Sequence, residues 1–282
     1  MGAVFPGATP SGEAPGSLGA GYGGIVVVKY GGHAMVSEAL KAAMAEDLTA
    51  LWRAGVRLAV VHGGGPVIGR ALQQAGIEGR FIDGLRVTDM AVLEVVERAL
   101  DQVNSDLVSL IRAAGARAVG LKGNHGLTCA RRHPIPGLGY VGEVEAIDRE
   151  VFEARTVGGH IGVVSPMGRG RDGHTYNINA DTVGGALAMA LKADRLVMLT
   201  DVPGVAGDRE RLRILPALDA GGIRDLTARG IICGGMLPKA EAALRALEGG
   251  VPRVDIVDGR REHALLRALA EEGYGTAINR DK

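Results

Sequence analysis

Short apolar runs alternate with longer amphipathic stretches along the chain from Ile25 onward. Apolar runs rich in β-branched residues are typical of strands that are buried on both faces of a sheet. Such runs predict strands at 25–29, 57–61, 117–121, 161–165, 195–200 and 254–257. The segment 129–148 has the pattern of hairpins.

Helical periodicity fills the intervals between these strands. One helix should begin after Ser37, which can cap it, and end near Ala54, where Gly55 stops it. Pro66 suits the first turn of the next helix. Further helices are predicted at 89–114, 181–191, 239–247 and 262–270. The alternation indicates an α/β protein with an open, mainly parallel sheet sandwiched between helices, and ligands of such sheets bind at the carboxyl ends of the strands.

Charge and cysteine content narrow the functional classes. Lys+Arg and Asp+Glu are balanced at 32 each among 282 residues, so we expect neither nucleic acid nor a membrane as a partner. No apolar run reaches the length of about 18 residues that a membrane span requires. Cys129 and Cys233 form no CxxC pair, so neither a metal site nor a disulfide framework is predicted. The first basic side chain is Lys29, which argues against a signal peptide and for a cytoplasmic protein.

The first 24 residues differ from the rest of the chain. They contain eight Gly, three Pro and four Ala, with almost nothing to bury. This composition predicts a disordered tail at 1–24.

Two glycine-rich turns follow predicted strands and lead into predicted helices, at Gly31–Gly32 and at 63–65. Glycine allows a ligand to approach the backbone, and a helix start presents free N–H groups, so both turns suit phosphate or carboxylate. The alternative is that the glycines only permit tight turns. Two such turns at one end of a sheet, one of them preceded by Lys29, favour an anion site.

Other glycine motifs fit less well. The segment 64–70 (GGPVIGR) lacks the Lys and the hydroxyl residue of a P-loop. G-x-G-x-x-G occurs at 137–142 and 168–173, but neither copy follows a strand and opens a helix, so both are interpreted as hairpin turns. The segment 62–65 (HGGG) resembles a lipase oxyanion loop, yet the chain has no G-x-S-x-G elbow.

The motifs KYGGHAM, VVHGGGP, FIDGLRVTD, YNINADTV, LTDVPGV, GGMLPK and GTAI occur in the order found in the amino-acid kinase family, which the chain resembles from about residue 25 to 278. FIDGLRVTD followed by YNINAD is typical of the members that phosphorylate N-acetyl-L-glutamate. The resemblance implies the amino-acid kinase fold with two lobes, 25–192 for the acyl substrate and 193–282 for ATP with its Mg²⁺. It also implies a role in arginine biosynthesis.

The resemblance assigns roles residue by residue. It implies that Lys29 and Lys239 stabilise the transferring phosphoryl group and that Asp181 organises them. It implies that the acyl substrate is held by Gly64, Gly65, Arg86, Asn177 and, close by, Asn179. It implies that phosphates and nucleotide lie near Gly31, Gly32, Thr200, Asp201, Gly204, Gly235 and Met236. Considered singly, each could be a surface charge, a helix cap or a turn residue, and only their ordered co-occurrence favours the functional interpretation.

Several alternatives stay open. A related kinase could act on carrier-bound aminoadipate, glutamate or carbamate, and a relative could bind ligands without catalysis. A nicotinamide-dependent oxidoreductase is disfavoured by the poor context of the G-x-G-x-x-G copies. The sequence departs from the family pattern at His33, where Asn is usual, and at 121–126 (LKGNHG), which is more basic. Because the tail lacks an amphipathic period, we expect an arginine-insensitive homodimer rather than a hexamer.

Overall fold

The computed structural model describes residues 24–35, 37–208 and 213–280. The strands of these ranges, in chain order, are β1 (Ile25–Tyr30), β2 (Arg57–His62), β3 (Phe81–Ile82), β4 (Leu85–Arg86), β5 (Ala118–Lys122), β6 (Thr128–Arg132), β7 (Val141–Ile147), β8 (Ile161–Ser165), β9 (Met167–Gly170), β10 (Thr175–Ile178), β11 (Arg195–Thr200), β12 (Ala217–Asp219), β13 (Arg253–Asp258) and β14 (Thr276–Asn279). The α-helices are α1 (Glu38–Arg53), α2 (Gly65–Gln74), α3 (Met90–Ala113), α4 (Arg149–Arg155), α5 (Ala180–Leu191), α6 (Ala220–Ala228), α7 (Leu237–Glu248) and α8 (Ala264–Ala270).

A large sheet forms the centre of the described part of the chain. Its eight strands lie in the order β12-β14-β13-β11-β1-β2-β8-β5. All strands from β13 to β5 in that order pair in parallel, whereas β14 is antiparallel to β13 and β12 is parallel to β14. The predicted α/β fold with a mainly parallel sheet is therefore confirmed. The antiparallel edge formed by β12 and β14 was not predicted.

Every residue of β1 is buried because helices cover both faces of this sheet. Val26 and Val28 pack with apolar residues of α1, α3 and α8 on one face. Ile25 and Val27 pack with apolar residues of α5, α6 and α7 on the other. A strand whose alternate side chains enter two different cores must be apolar throughout, which explains the unbroken sequence IVVV.

Local signals fix the ends of several helices. Ser37 caps α1 by accepting a hydrogen bond from the backbone N–H of Leu40 at 3.4 Å, and Gly55 after its end has a φ of +87°. Asp89 caps α3 by accepting from the backbone N–H of Val92 at 2.9 Å. Pro66 occupies the first turn of α2, as predicted.

A small closed barrel, with strand order β10-β7-β6-β9, lies beside the large sheet. β6 and β7 pair antiparallel, which confirms a hairpin within 129–148, but the closure with β9 and β10 was not predicted. The two G-x-G-x-x-G segments lie in the β6–β7 connection and in β9 with its turn. Neither opens a helix, which agrees with the interpretation as turns.

The proposed division at residue 192 falls at the end of α5, where Lys192 has a left-handed φ of +53°. The large sheet continues across this point, since β1 pairs with β11. The division into two lobes stays a prediction. The predicted tail at 1–24 lies outside the described residues except for Gly24. Of the helices described, none is both long enough and apolar enough to span a bilayer.

Candidate active site

The two glycine-rich turns meet at the carboxyl ends of neighbouring parallel strands. β1 and β2 pair in register, with Tyr30 opposite His62, so Gly31 and Gly63 follow at the same level. The N–H of Gly63 donates to the carbonyl oxygen of Tyr30 at 2.7 Å. A Cβ atom built on Gly63 would lie 3.5 Å from the Cα of Gly31. The turns therefore form one surface, as the topology rule predicts.

Three charged side chains from distant parts of the chain converge beside this surface. Lys29 Nζ lies 3.0 Å from Asp181 Oδ1, and Lys239 Nζ lies 2.9 Å from Asp181 Oδ2. Lys239 donates a hydrogen bond to Oδ2, whereas Oδ1 makes an ion-pair contact with Lys29 that lacks hydrogen-bond geometry. The cluster comprises two ammonium groups and one carboxylate, so its net charge of about +1 favours an anion at this place.

Burial alone would raise the pKa of Asp181 by disfavouring its charged form. The charges of Lys29 and Lys239, together with the hydrogen bond from Lys239, outweigh that effect, and the pKa of Asp181 is lowered from its ordinary value. Asp181 is thus an anion in the folded protein at neutral pH. As an anion, Asp181 can bind the ammonium groups of both lysines at once.

Local structure explains how each of the three side chains reaches the cluster. Lys29 is the penultimate residue of β1, and its ammonium group lies over Gly31, where a Cβ would be 2.8 Å from Nζ. Asp181 lies in the first turn of α5, where the helix dipole favours an acid. Lys239 lies in the first turn of α7, where the dipole disfavours a cation, so the contact with Asp181 compensates for its position.

A cavity of about 250 Å³ opens next to Lys29 and Asp181. It brings together all the residues to which the resemblance assigns the acyl substrate. They are Gly64, Gly65, Arg86, Asn177 and Asn179. We call this space the acyl cavity.

Two side chains of the acyl cavity have defined surroundings. The guanidinium of Arg86 lies 4.6 Å from the ring centroid of Phe81 across the β3–β4 hairpin, and burial lowers its pKa from the ordinary value. Asn179 caps α5, because its Oδ1 accepts hydrogen bonds from the backbone N–H groups of Asp181 at 2.8 Å and Thr182 at 3.4 Å. Its amide nitrogen stays available for a ligand.

The residues assigned to the nucleotide are less closely grouped. Gly31 and Gly32 line the acyl cavity, and Gly32, with a φ of +75°, lies directly against the carboxylate of Asp201. Thr200 is buried at the end of β11. Gly204 packs against Thr276 of β14 and so has a packing role in addition to any contact with nucleotide.

Gly235 and Met236 lie in a 3₁₀ turn (Gly234–Met236) that leads into α7. Gly235 is exposed and lines a larger cavity of about 630 Å³ between α5, α7 and the β3–β4 turn. This cavity shares Gly84, Leu85 and Asn179 with the acyl cavity, but Lys29 and Asp181 line only the acyl cavity. The smaller cavity is the better candidate for chemistry because Lys29 and Asp181 of the charged cluster line it.

Sequence reasoning missed the groups that support the second glycine turn. The fully buried imidazole of His62 makes a hydrogen bond from Nδ1 to the carbonyl oxygen of Gly63 at 2.8 Å. Its Nε2 lies 3.1 Å from Asn104 Nδ2 of α3, which also donates to the carbonyl oxygen of Val163 at 2.9 Å. The imidazole is therefore neutral, with its proton on Nδ1. Asn104 reaches the imidazole of His62 because α3 packs against the sheet, and the local sequence carries no signal for this contact.

A sequence model of the amino acid kinase family matches residues 24–258, so the chain belongs to this family. Curated relatives named acetylglutamate kinase include one from Symbiobacterium thermophilum, 44% identical over 268 residues that cover 91% of this chain and 92% of the relative. Another, from Acidiphilium cryptum, is 48% identical over 272 residues that cover 91% of this chain and 90% of the relative.

Two solved structures share the fold of this chain. The smu.665 protein of Streptococcus mutans UA159 superimposes with a TM-score of 0.78 at 30% identity, covering 91% of this chain and 99% of that one. N-acetylglutamate synthase from Neisseria gonorrhoeae, complexed with coenzyme A and N-acetyl-glutamate, superimposes with a TM-score of 0.82 at 25% identity. That match covers 92% of this chain and 60% of the synthase chain.

Proposed function

We propose that this protein transfers the γ-phosphoryl group of ATP to the side-chain carboxylate of N-acetyl-L-glutamate, giving N-acetylglutamyl 5-phosphate and ADP in arginine biosynthesis. The observation that carries the proposal is the convergence of Lys29 and Lys239 on Asp181 at the edge of the acyl cavity. The curated relatives named acetylglutamate kinase, at 44% and 48% identity, support the same reaction.

The main obstacle to this reaction is repulsion between two anions. A carboxylate with an ordinary pKa of about 4 is already ionised at neutral pH, so it needs no general base to become a nucleophile. Two like charges about 4 Å apart repel by ~4 kcal/mol at an effective dielectric constant of ~20. Lys29 and Lys239 offset this repulsion, and Asp181 fixes their ammonium groups before the substrates arrive.

The acyl cavity positions the acceptor. Arg86 binds the α-carboxylate, with the planar guanidinium that suits bidentate contacts, while the backbone of Gly64 and Gly65 approaches the substrate closely. Asn177 and Asn179 offer amide groups for the N-acetyl part of the substrate. With the acceptor held in this way, its side-chain carboxylate points towards Lys29, and positioning supplies much of the remaining catalysis.

The nucleotide binds on the 193–282 side, with its phosphates near Gly31, Gly32 and the start of α7 and its remainder near Thr200 and Asp201. Across the described ranges, no three His, Cys, Asp or Glu side chains are grouped to hold a metal ion. Mg²⁺ bound to the phosphates of ATP would supply further positive charge there. We also propose a cytoplasmic homodimer that is insensitive to arginine. A hexameric mass by light scattering, or inhibition by arginine, would contradict this assembly.

An assay with a panel of acids tests the reaction. ADP release is measured with N-acetyl-L-glutamate, glutamate and aminoadipate, and hydroxylamine traps the acyl phosphate as a hydroxamate. We expect ADP release and hydroxamate in equal amounts with N-acetyl-L-glutamate and little of either with the other acids. ADP release without hydroxamate would indicate simple ATP hydrolysis, and no ADP release with N-acetyl-L-glutamate would refute the proposed function.

A further inference from the structure

Thr88 is a buried polar residue that no part of the proposed mechanism uses. It lies two residues beyond Arg86, between β4 and α3. Its Oγ1 donates a hydrogen bond to the backbone carbonyl oxygen of Arg86 at 2.7 Å. The same oxygen accepts a hydrogen bond from Nδ2 of Asn177, 89 positions later in the chain, at 3.2 Å. One hydroxyl group thus joins two residues that line the acyl cavity.

The backbone of Thr88 is held as firmly as its side chain. Its N–H donates to the carbonyl oxygen of Leu138 at 2.9 Å, and its carbonyl oxygen accepts from the N–H of Tyr140 at 2.6 Å. Gly139 lies against the same carbonyl oxygen with a φ of +73°, leaving no room for a side chain. The β6–β7 connection therefore fixes where the hydroxyl group of Thr88 stands.

The hydrogen bonds of Thr88 also determine which way the side-chain amide of Asn177 is turned. A hydroxyl group has one proton to donate, and the proton of Thr88 is directed to the carbonyl oxygen of Arg86. Thr88 can therefore only accept from Asn177, so the amide nitrogen of Asn177 must face it. The amide oxygen of Asn177 is left for a ligand, whereas Asn179 has its oxygen on the α5 backbone and its nitrogen left over.

We propose that Thr88 is a positioning residue for the acyl substrate, acting through the side chain of Asn177 and the strand that carries Arg86. It fixes one hydrogen-bond acceptor in the cavity that the amide donor of Asn179 also lines, and such a pair matches the N–H and C=O groups of a secondary amide. This role rests on the proposed function, because it assumes that an N-acylated acid occupies the acyl cavity. Thr88 itself does not line that cavity.

Thr88→Val tests this role, because valine has nearly the same shape and lacks only the hydroxyl group. We expect the KM for N-acetyl-L-glutamate to rise about 10- to 100-fold, as a misplaced binding group does, with kcat and the KM for ATP nearly unchanged. Thr88→Ser keeps the hydroxyl group and should restore most of the affinity. Thr49→Val is the matched control, since Thr49 is also buried and its hydroxyl has no hydrogen-bond partner among the described residues.

A double-mutant cycle separates positioning from a general effect on folding. If Thr88 acts through Asn177, Thr88→Val should change the KM far less in an Asn177→Ala background than in the wild type. Equal effects in both backgrounds, or a Thr88→Val enzyme that behaves like Thr49→Val, would overturn the proposal. Should Thr88→Val not fold, Thr88→Ala replaces it with the same expected and contrary results. If the wild type itself has no activity on N-acetyl-L-glutamate, the proposed function is refuted, and the role of Thr88 is refuted with it.

Discussion

Replacing His62 with glutamine should remove a defined part of the acid sensitivity of folding. His62 is fully buried at the end of β2, and its two ring nitrogens are already engaged by Gly63 and Asn104. A second ring proton would face the amide nitrogen of Asn104, which is itself a donor. Burial, opposed in part by the hydrogen bond to Gly63 and the charge of Asp101, lowers the pKa of His62 from 6.5 to about 4.

The sign and the size of the effect follow from proton binding. Below pH 6.5 the unfolded chain binds a proton at His62, whereas the folded protein does not until about pH 4. Stability from this residue is complete above pH 6.5 and is lost as the pH falls from 6.5 to 4. The two values differ by 6.5 − 4 = 2.5 pH units. At about 1.4 kcal/mol per unit, the loss is about 3.5 kcal/mol in total and about 2 kcal/mol by pH 5.

Another buried group works in the opposite direction in the wild type. Burial raises the pKa of Asp47 to about 6, although hydrogen bonds from His263 and from the start of α8 oppose the shift. A carboxyl group whose pKa is raised by folding stabilises the folded state as the pH falls through 6. The wild-type pH profile is therefore a sum, and only the difference between the wild type and His62→Gln isolates the imidazole.

The assay is urea unfolding followed by the fluorescence of Trp52, the single tryptophan, at pH 8 and pH 5. We expect the wild type to lose about 2 kcal/mol more than His62→Gln between these two pH values. His125→Gln, at an exposed position, is the matched control and should behave like the wild type. If His62→Gln and the wild type lose the same stability, the buried neutral imidazole is not what makes folding sensitive to acid.

Two further predictions concern the charged cluster. Lys29→Ala and Lys239→Ala should each lower kcat roughly 10²- to 10³-fold, as the loss of one electrostatic donor does. Near-normal turnover of either variant in the ADP assay would show that this lysine has no part in the mechanism. Gly31→Ala should lower kcat by about 10-fold or more while leaving the circular dichroism spectrum unchanged, since the new Cβ would lie 2.8 Å from Nζ of Lys29 and would clash with no backbone atom. Unchanged kcat for Gly31→Ala would show that this ammonium group tolerates displacement.

The elements that could be predicted from sequence are those whose signals are local. The β-branched run of β1, the cap Ser37 and the helical periodicity at 89–114 give nearly the observed bounds, because burial and backbone capping affect which residues occur at these positions. The barrel strands leave no such mark. β9 reads MGRG, and it becomes a strand only because β6 and β10 pair with it. The edge strand β14 is equally dependent on distant partners.

The residues of the candidate site also differ in how far they could be predicted from local sequence. The glycine turns could be placed from sequence, because parallel neighbouring strands bring their carboxyl ends together. Assigning Lys239 and Arg86 required ordered family motifs, since a lone lysine or arginine has no distinctive local pattern. Thr88 and Asn104 could not be assigned at all. Their roles depend on contacts across long sequence separations, and such contacts are fixed by the packing of α3 and the barrel against the sheet.

Helix α5 explains why the acyl cavity and the charged cluster can work together. Its cap, Asn179, lines the acyl cavity, and its first-turn acid, Asp181, holds both lysines. The cap and the acid are joined by a hydrogen bond of 2.8 Å, so a single helix turn fixes the spacing between the acyl cavity and the charged cluster. Because Asp181 balances only one of the two ammonium groups, the cluster keeps a positive charge beside the cavity. That remaining charge is what an incoming phosphoryl group would neutralise as it passes between the two substrates.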